Sequence, residues 1–149
     1  MLLKVVYFIS VLLTTVTMAA GFAHLLELPN KMALSREEYL IVQQIYRGWA
    51  LLGIAVIGAL LSTLVLTIMV RASQRVCYLA LTATLCIALS LVVFFLFTYP
   101  TNQQTLNWTI LPENWQELRR RWEYSHAVGA GLSFAALMAL VLGLLIDRA

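Results

Sequence analysis

Four long apolar stretches, separated by polar segments and one short turn, dominate the hydropathy pattern of the chain. The stretches cover residues 2–26, 46–70, 76–98 and 122–146, and the two larger polar loops cover residues 27–45 and 99–121. A hydrocarbon core about 30 Å thick needs roughly 20 helical residues, and backbone in lipid must satisfy its own hydrogen bonds. The pattern therefore predicts an all-α fold, an integral membrane four-helix bundle in which residues 1–149 form a single membrane domain.

The fourth apolar stretch has a helical signal that begins before the stretch itself. Pro112 precedes a first turn that carries acidic residues, and Trp115, Trp122 and His126 then share one face of the projected helix. The sequence therefore indicates a helix continuous with the fourth span. Gly131, Ala135, Ala139 and Gly143 recur at steps of four along it, which predicts a face for close helix packing.

Composition narrows the class of partner. Hydrophobic residues make up 62% of the chain and charged residues 11%, against roughly 25% charged residues in an average soluble protein. The net charge of +3 is scattered, without a basic stripe that would suit nucleic acid. We therefore expect the lipid bilayer as partner and no nucleic acid, and the pattern leaves open whether the chain forms a homo-oligomer.

The first stretch has a rival interpretation as a cleaved signal peptide. Lys4, an apolar run and the segment Thr17-Met18-Ala19 imitate the charge, core and cleavage pattern of such peptides. However, the apolar run continues past Ala19 to Ala23. We therefore expect a retained first helix, which keeps His24 in the mature protein.

Basic residues give conflicting indications of orientation in the cell membrane. The side with the termini carries Lys4, Arg71, Arg75 and Arg148. The side with the larger loops carries Lys31, Arg36, Arg47, Arg119, Arg120 and Arg121. The raw count favours the larger loops inside. Because Arg71 and Arg75 occupy the shortest turn without any acid, we nevertheless expect the termini in the cytoplasm.

The two histidines of the chain are the most informative polar residues. Each lies three residues from a glutamate, in mirrored order: His24 before Glu27, and Glu123 before His126. This spacing places both members of a pair on one helical face. Both pairs lie where an apolar span meets a polar loop, and ionisable groups there indicate a functional site. If the first and fourth helices are neighbours, the four side chains converge at one membrane face.

Three interpretations of this cluster remain open on the residues alone. Two imidazoles and two carboxylates suit one divalent metal ion, with His24, Glu27, Glu123 and His126 as ligands. A haem held by the two histidines is the second, although the chain has no Cys-x-x-Cys-His attachment motif. The third is a structural network in which Glu27 pairs with Arg47 and Arg119 pairs with Glu123. The cofactor is thus left open between none, a divalent metal ion and haem.

The chain resembles a known family over nearly its whole length in topology, including Gly21 and His24, and most specifically in its second half. The residues that carry the resemblance are Pro100-Thr101-Asn102, Trp108, Pro112, Trp115, Leu118-Arg119 and Trp122-Glu123-Tyr124-Ser125-His126. They are similar to segments of the small four-helix membrane proteins grouped with anthrone oxygenases, most of them uncharacterised. The resemblance implies an oxidoreductase that uses dioxygen to convert a polycyclic anthrone to its quinone. Many members place an arginine three residues beyond the histidine, where this chain has Gly129, which argues against anthrone itself as the substrate.

The resemblance also implies roles for individual residues. Asn102 and His126 match its polar motif positions, and Trp122 matches its aromatic position. His126 is then the expected base, with Glu27 or Glu123 orienting it, and Asn102 or Arg47 would stabilise an oxyanion. The expected catalytic residues are His126, His24, Asn102 and Glu123. The expected contacts of a small aromatic or quinoid lipophile are Arg47, Trp115, Trp122, Phe97 and Tyr99. A non-catalytic accessory membrane subunit is the remaining alternative.

Overall fold

The described part of the protein is helical and contains no strand. The structure is a computed structural model that describes residues 1–147, so Arg148 of the charge count lies outside the described residues. Its helices are α1 (Leu2–Ala33), α2 (Arg36–Gln43), α3 (Leu52–Met69), α4 (Gln74–Val93), α5 (Tyr99–Gln104) and α6 (Trp115–Asp147). Short 3-10 turns cover Gln44–Tyr46 and Trp49–Leu51, and a π-helical turn covers Phe94–Thr98.

Four helical stretches within residues 1–147 are long and apolar enough to cross a membrane. They are Leu2–Ala33, Trp49–Met69, Gln74–Gln104 and Trp115–Ile146. In the bundle, α1 packs against α3 and α6, and α4 packs against the same two helices. The four spans therefore form a ring, which confirms the predicted helical bundle and makes the first and fourth spans neighbours.

Close approach of helices holds the ring together. A Cβ placed on Gly21 of α1 would lie 3.1 Å from the Cα of Ala130 on α6, and one placed on Gly143 would lie 2.8 Å from the Tyr7 hydroxyl. Because lipid tails are as apolar as the side chains, such contact is what drives helix association in a membrane. Of the predicted packing ladder on α6, Ala139 and Gly143 face the bundle, whereas Gly131 and Ala135 are exposed.

The first polar loop is shorter than predicted. Helix α1 continues past residue 26 and through Pro29 to Ala33, and α2 occupies much of the remaining segment. Helix α2 begins at a capping box, in which the Ser35 N–H donates to Glu38 Oε2 at 2.9 Å and the Glu38 N–H donates to Ser35 Oγ at 3.4 Å. Polar residues that the pattern assigned to a loop therefore lie on helices.

The end of the third span also differs from the prediction. The pattern predicts that the third span ends at residue 98, before Pro100, but the chain stays helical to Gln104. The turn Phe94–Thr98 widens so that the Tyr99 N–H donates to the Phe94 carbonyl, five residues back. Pro100 then falls in the first turn of α5, where its missing N–H is tolerated. The predicted continuity of the fourth span is confirmed, since α6 begins at Trp115.

Candidate functional site

A buried lysine stands at the centre of the polar cluster. Lys31, near the end of α1, has a side chain that is 3% exposed. Its Nζ lies 2.7 Å from Glu123 Oε2, 3.1 Å from the Tyr46 hydroxyl and 3.4 Å from His24 Nδ1. An ammonium group has three donors, and here each of them has an acceptor. This arrangement satisfies the charge that burial would otherwise penalise by several kcal/mol.

The two histidines meet, as the mirrored spacing predicts. The ring centroids of His24 and His126 are 4.2 Å apart. Because the ammonium of Lys31 can only donate, His24 Nδ1 accepts and the proton of its neutral ring lies on Nε2. His126 Nδ1 lies 2.9 Å from the Trp122 carbonyl, which can only accept, so the proton of His126 lies on Nδ1. His126 Nε2 therefore carries a lone pair that is not used in this hydrogen bond.

Glu123 pairs with a cation other than the predicted one. The sequence favoured Arg119, but the partners of this fully buried carboxylate are Lys31, the Tyr39 hydroxyl at 2.9 Å and Gln43 Nε2 at 3.5 Å. Burial, and then the charge of Glu123, raise the pKa of Tyr39. Tyr39 therefore stays a neutral donor, and it joins α2 to α6 across the membrane face.

Glu27 and Arg47 do not form the predicted pair. Tyr46 donates its hydroxyl hydrogen to Glu27 Oε2, and Lys31 Nζ lies 3.6 Å from the same oxygen. Burial raises the pKa of Tyr46, and the hydrogen bond to Glu27 raises it further, so the phenol keeps its proton. Arg47 is exposed and donates to Gln44 Oε1 at 2.8 Å. The structure therefore places Glu27 at the edge of the cluster and Arg47 outside it.

Arg119 anchors the end of α1. Its guanidinium donates to the backbone carbonyls of Lys31 at 3.3 Å and Leu34 at 2.9 Å, and it lies 4.7 Å from the ring centroid of Trp115 and 5.4 Å from that of Tyr39. A cation at a helix C-terminus is favourable because the last carbonyls there lack partners within the helix. Arg119 therefore fixes the position of Lys31 through the backbone.

An aromatic layer surrounds the histidines. The Trp122 centroid lies 4.1 Å from that of His126 and 5.0 Å from that of His24. The Trp122 Nε1–H donates to Asn102 Oδ1 at 2.8 Å, so Asn102 orients this ring.

Of the other predicted substrate contacts, Trp115 packs one layer away, beside Tyr39. Phe97 and Tyr99 are 45% and 44% exposed on the outer surface, away from the cluster.

A left-handed turn brings a further tryptophan to this layer. Leu106, Asn107 and Trp108 have φ values of 48°, 55° and 60°, a conformation that costs roughly 1–3 kcal/mol for each such residue. The Trp108 N–H donates to Thr105 Oγ1 at 3.1 Å. The ring is 3% exposed and lies 5.1 Å from Tyr39. Strain in the loop is thus offset by burial of an indole at the site.

The arrangement does not fit a metal ion or a haem. Among residues 1–147, no group of three or more histidine, cysteine, aspartate or glutamate side chains is placed to hold a metal ion. The acceptor atoms of His24 and Glu123 are instead directed at the Lys31 ammonium. Axial nitrogens of a haem lie on opposite sides of the iron at about 2 Å each. Two imidazoles at stacking distance leave no space for a porphyrin between them.

Sequence reasoning missed Lys31, Tyr39 and Tyr46. The signal for Lys31 was its position four residues after Glu27 and seven after His24, which places all three on one face if the helix continues. The prediction ended that helix too early. Nothing local distinguishes Tyr39 or Tyr46, because their partners lie on other helices.

Comparison with known proteins gives no independent identification. No family model, no curated protein and no solved structure matches the chain. The resemblance to the anthrone oxygenase-like family therefore stays a prediction.

Proposed function

We propose that this chain is a membrane oxidoreductase of the anthrone oxygenase-like kind, which takes a proton from a small aromatic or quinoid lipophile and lets the resulting anion react with dioxygen. The observation that carries the proposal is the pair of histidines in ring contact, with centroids 4.2 Å apart and planes inclined at 45°, beside the buried Lys31 ammonium. A base and a cation next to each other are what abstraction of a proton from carbon requires.

His126 is the base in this proposal. Its Nδ1–H is held by the Trp122 carbonyl, so the lone pair on Nε2 is the atom that accepts a proton. The substrate is a CH2 group flanked by aromatic rings. After His126 removes one hydrogen as a proton, the carbanion adds dioxygen and a proton to give a hydroperoxide. Loss of water from it leaves a ketone, so that one CH2 and one O2 become one C=O and one H2O.

Lys31 stabilises the negative charge that develops during this reaction. The family resemblance predicts an arginine three residues beyond His126, and this chain has Gly129 there. Lys31 supplies a cation to the same cluster from another helix. Asn102 contributes less directly, because its Oδ1 orients Trp122 while its Nδ2 remains a donor for a substrate oxygen.

The test is dioxygen consumption by the purified protein in lipid nanodiscs, with anthrone as the probe and protein-free nanodiscs as the blank. We expect uptake above the blank, loss of about 10²–10⁴-fold in His126→Ala, and unchanged uptake in Tyr124→Phe, an exposed neighbour on the same helix. Full uptake in His126→Ala would refute the proposed oxygenase mechanism, and uptake equal to the blank would refute an anthrone-like substrate.

A second candidate, a non-catalytic accessory subunit, has one observation in its favour. Every N–H of the Lys31 ammonium has an acceptor within the protein, so this charge is satisfied without a ligand. In that case His126→Ala lowers the stability of the bundle, and no lipophile alters dioxygen consumption.

The proposal includes an orientation in which both termini lie in the cytoplasm. Cross-linking in membranes tests whether the chain forms a homo-oligomer. Two of the six basic residues counted for the larger loops, Lys31 and Arg119, are buried inside the bundle. The remaining four equal the four basic residues on the side of the termini, so the count no longer favours the larger loops inside. Protease protection of a tag placed before Met1 tests the orientation in sealed vesicles.

A further inference from the structure

A chain of hydrogen bonds leads from the buried His24 to the surface of the protein. His24 is 5% exposed, and its Nδ1 lies 3.4 Å from Lys31 Nζ. Lys31 Nζ donates to the Tyr46 hydroxyl at 3.1 Å, and Tyr46 donates to Glu27. The Glu27 side chain is 40% exposed. Every link is direct, and the last group meets the polar phase at the face of the larger loops.

The other branch from Lys31 ends inside the protein. Glu123 and Tyr39 are both fully buried, and Gln43, the remaining partner of Glu123, is 4% exposed. A proton that reaches Glu123 therefore finds no exposed ionisable neighbour along these bonds. The branch through Tyr46 and Glu27 is thus the shorter connection between Lys31 and water.

We propose that Glu27, Tyr46 and Lys31 form a proton relay between His24 and the polar phase. In the inward direction, Lys31 gives a proton to His24 Nδ1, and its amine is reprotonated by the Tyr46 hydroxyl. The Glu27 carboxylate takes up a proton from water, passes it to the Tyr46 oxygen and is a carboxylate again. One proton has then moved inward, and the three relay groups have returned to their starting states. The outward direction reverses each transfer.

Each relay group suits its position. A phenol both donates and accepts, so Tyr46 can pass a proton without holding a charge. Glu27 is a carboxylate at the edge, where water reaches it. Lys31 donates to His24 on one side and to Tyr46 on the other, and it is therefore the branching point of the path. The path itself exists without substrate. The relay rests on the proposed function only in that the proposed reaction is what consumes or releases the proton.

Hydrogen exchange of the Lys31 ammonium tests the relay without any turnover. The chain has only two lysines, and Lys4 is exposed at the other membrane face, so it serves as an internal reference for fast exchange. Protein labelled with 15N at the lysine side chains is placed in nanodiscs and followed by NMR after transfer to D2O. We expect Tyr46→Phe to slow exchange at Lys31 by about a hundredfold, the lower range of what a positioned proton-transfer group contributes.

Tyr39→Phe is the matched control, because it also removes one hydroxyl of the network but lies on the closed branch. We expect its Lys31 exchange rate to equal that of the wild type. Glu27→Gln, at the exposed edge, tests the relay without disturbing the core and is expected to slow exchange as well. Unchanged exchange in both Tyr46→Phe and Glu27→Gln, or equal slowing in Tyr39→Phe, would overturn the relay. Neither result depends on whether anthrone is oxidised.

Discussion

Removal of the Lys31 ammonium is the most direct test of how the site is stabilised. In Lys31→Met the side chain keeps its length, but Glu123 is left as a fully buried carboxylate with Tyr39 and Gln43 as its partners. Breaking a buried ion pair by removing one partner costs about 3–5 kcal/mol, because the other charge remains without compensation. We expect that loss in the free energy of unfolding.

The double variant Lys31→Met/Glu123→Leu separates this charge penalty from the loss of packing. With both charges absent, replacement by apolar groups is often neutral, and the hydroxyl of Tyr39 loses one partner at a cost of about 1–3 kcal/mol. The double variant should therefore be more stable than Lys31→Met alone. The two single effects should not add, because the residues are in direct contact.

Unfolding by SDS titration in mixed micelles, followed by circular dichroism, measures these differences. Arg121→Met is the matched control, since Arg121 pairs with Glu117 at 3.2 Å on the exposed face of α6. Pairs of this kind contribute about 0.3–0.5 kcal/mol. If Lys31→Met costs no more than Arg121→Met, or if the effects of the double variant add, the buried ion pair does not stabilise the bundle as argued.

Two further predictions concern the helices that position the site. Gly21→Ala places a methyl group 3.1 Å from the backbone of Ala130, so we expect it to lower the free energy of unfolding by about 1–3 kcal/mol in the same assay. Gly131→Ala is its control and should be neutral or slightly stabilising, because the space around Gly131 is open. The hydrogen bond from the Ser35 backbone lowers the pKa of Glu38, so its capping contribution is present above the unfolded pKa and is lost as the pH falls through the folded pKa. Melting temperatures measured between neutral and acidic pH should therefore fall less in Glu38→Gln than in the wild type, and equal slopes would contradict the capping argument.

The hydropathy pattern was sufficient for the four spans, and the mirrored placement of the histidines predicted their convergence on the condition that the first and fourth helices are neighbours. Both follow from local rules, since a span needs only length and apolar content, and two residues at the same membrane edge meet when their helices are neighbours. Lys31 was placed in a loop because a charge normally ends a span. It lies on a helix instead, because its charge is compensated by Glu123 from α6, 92 positions along the chain.

The sequence could not show which basic residue pairs with which glutamate in the cluster. Lys31, Arg47 and Arg119 are all predicted on the side of the two larger loops, and any of them was compatible with pairing to Glu27 or Glu123. The extension of α1 and the placement of α2 decide among them, and both depend on contacts between residues far apart in sequence. The fold of the loops, rather than the composition of the site, was therefore the missing information.

The buried positions of α1 are occupied by polar or amphipathic residues. Its buried residues are Tyr7, Ser10, Thr14, His24 and Lys31. Its exposed large apolar residues are Leu2, Val5, Phe8, Ile9, Leu12, Val16 and Leu26. Selection on the outer surface can therefore act only on side-chain volume and hydrophobicity, so a mutational scan would find Leu, Ile, Val and Phe interchangeable there. The interior positions would tolerate few replacements, and the strongest sequence constraint on this membrane helix falls on its least hydrophobic residues.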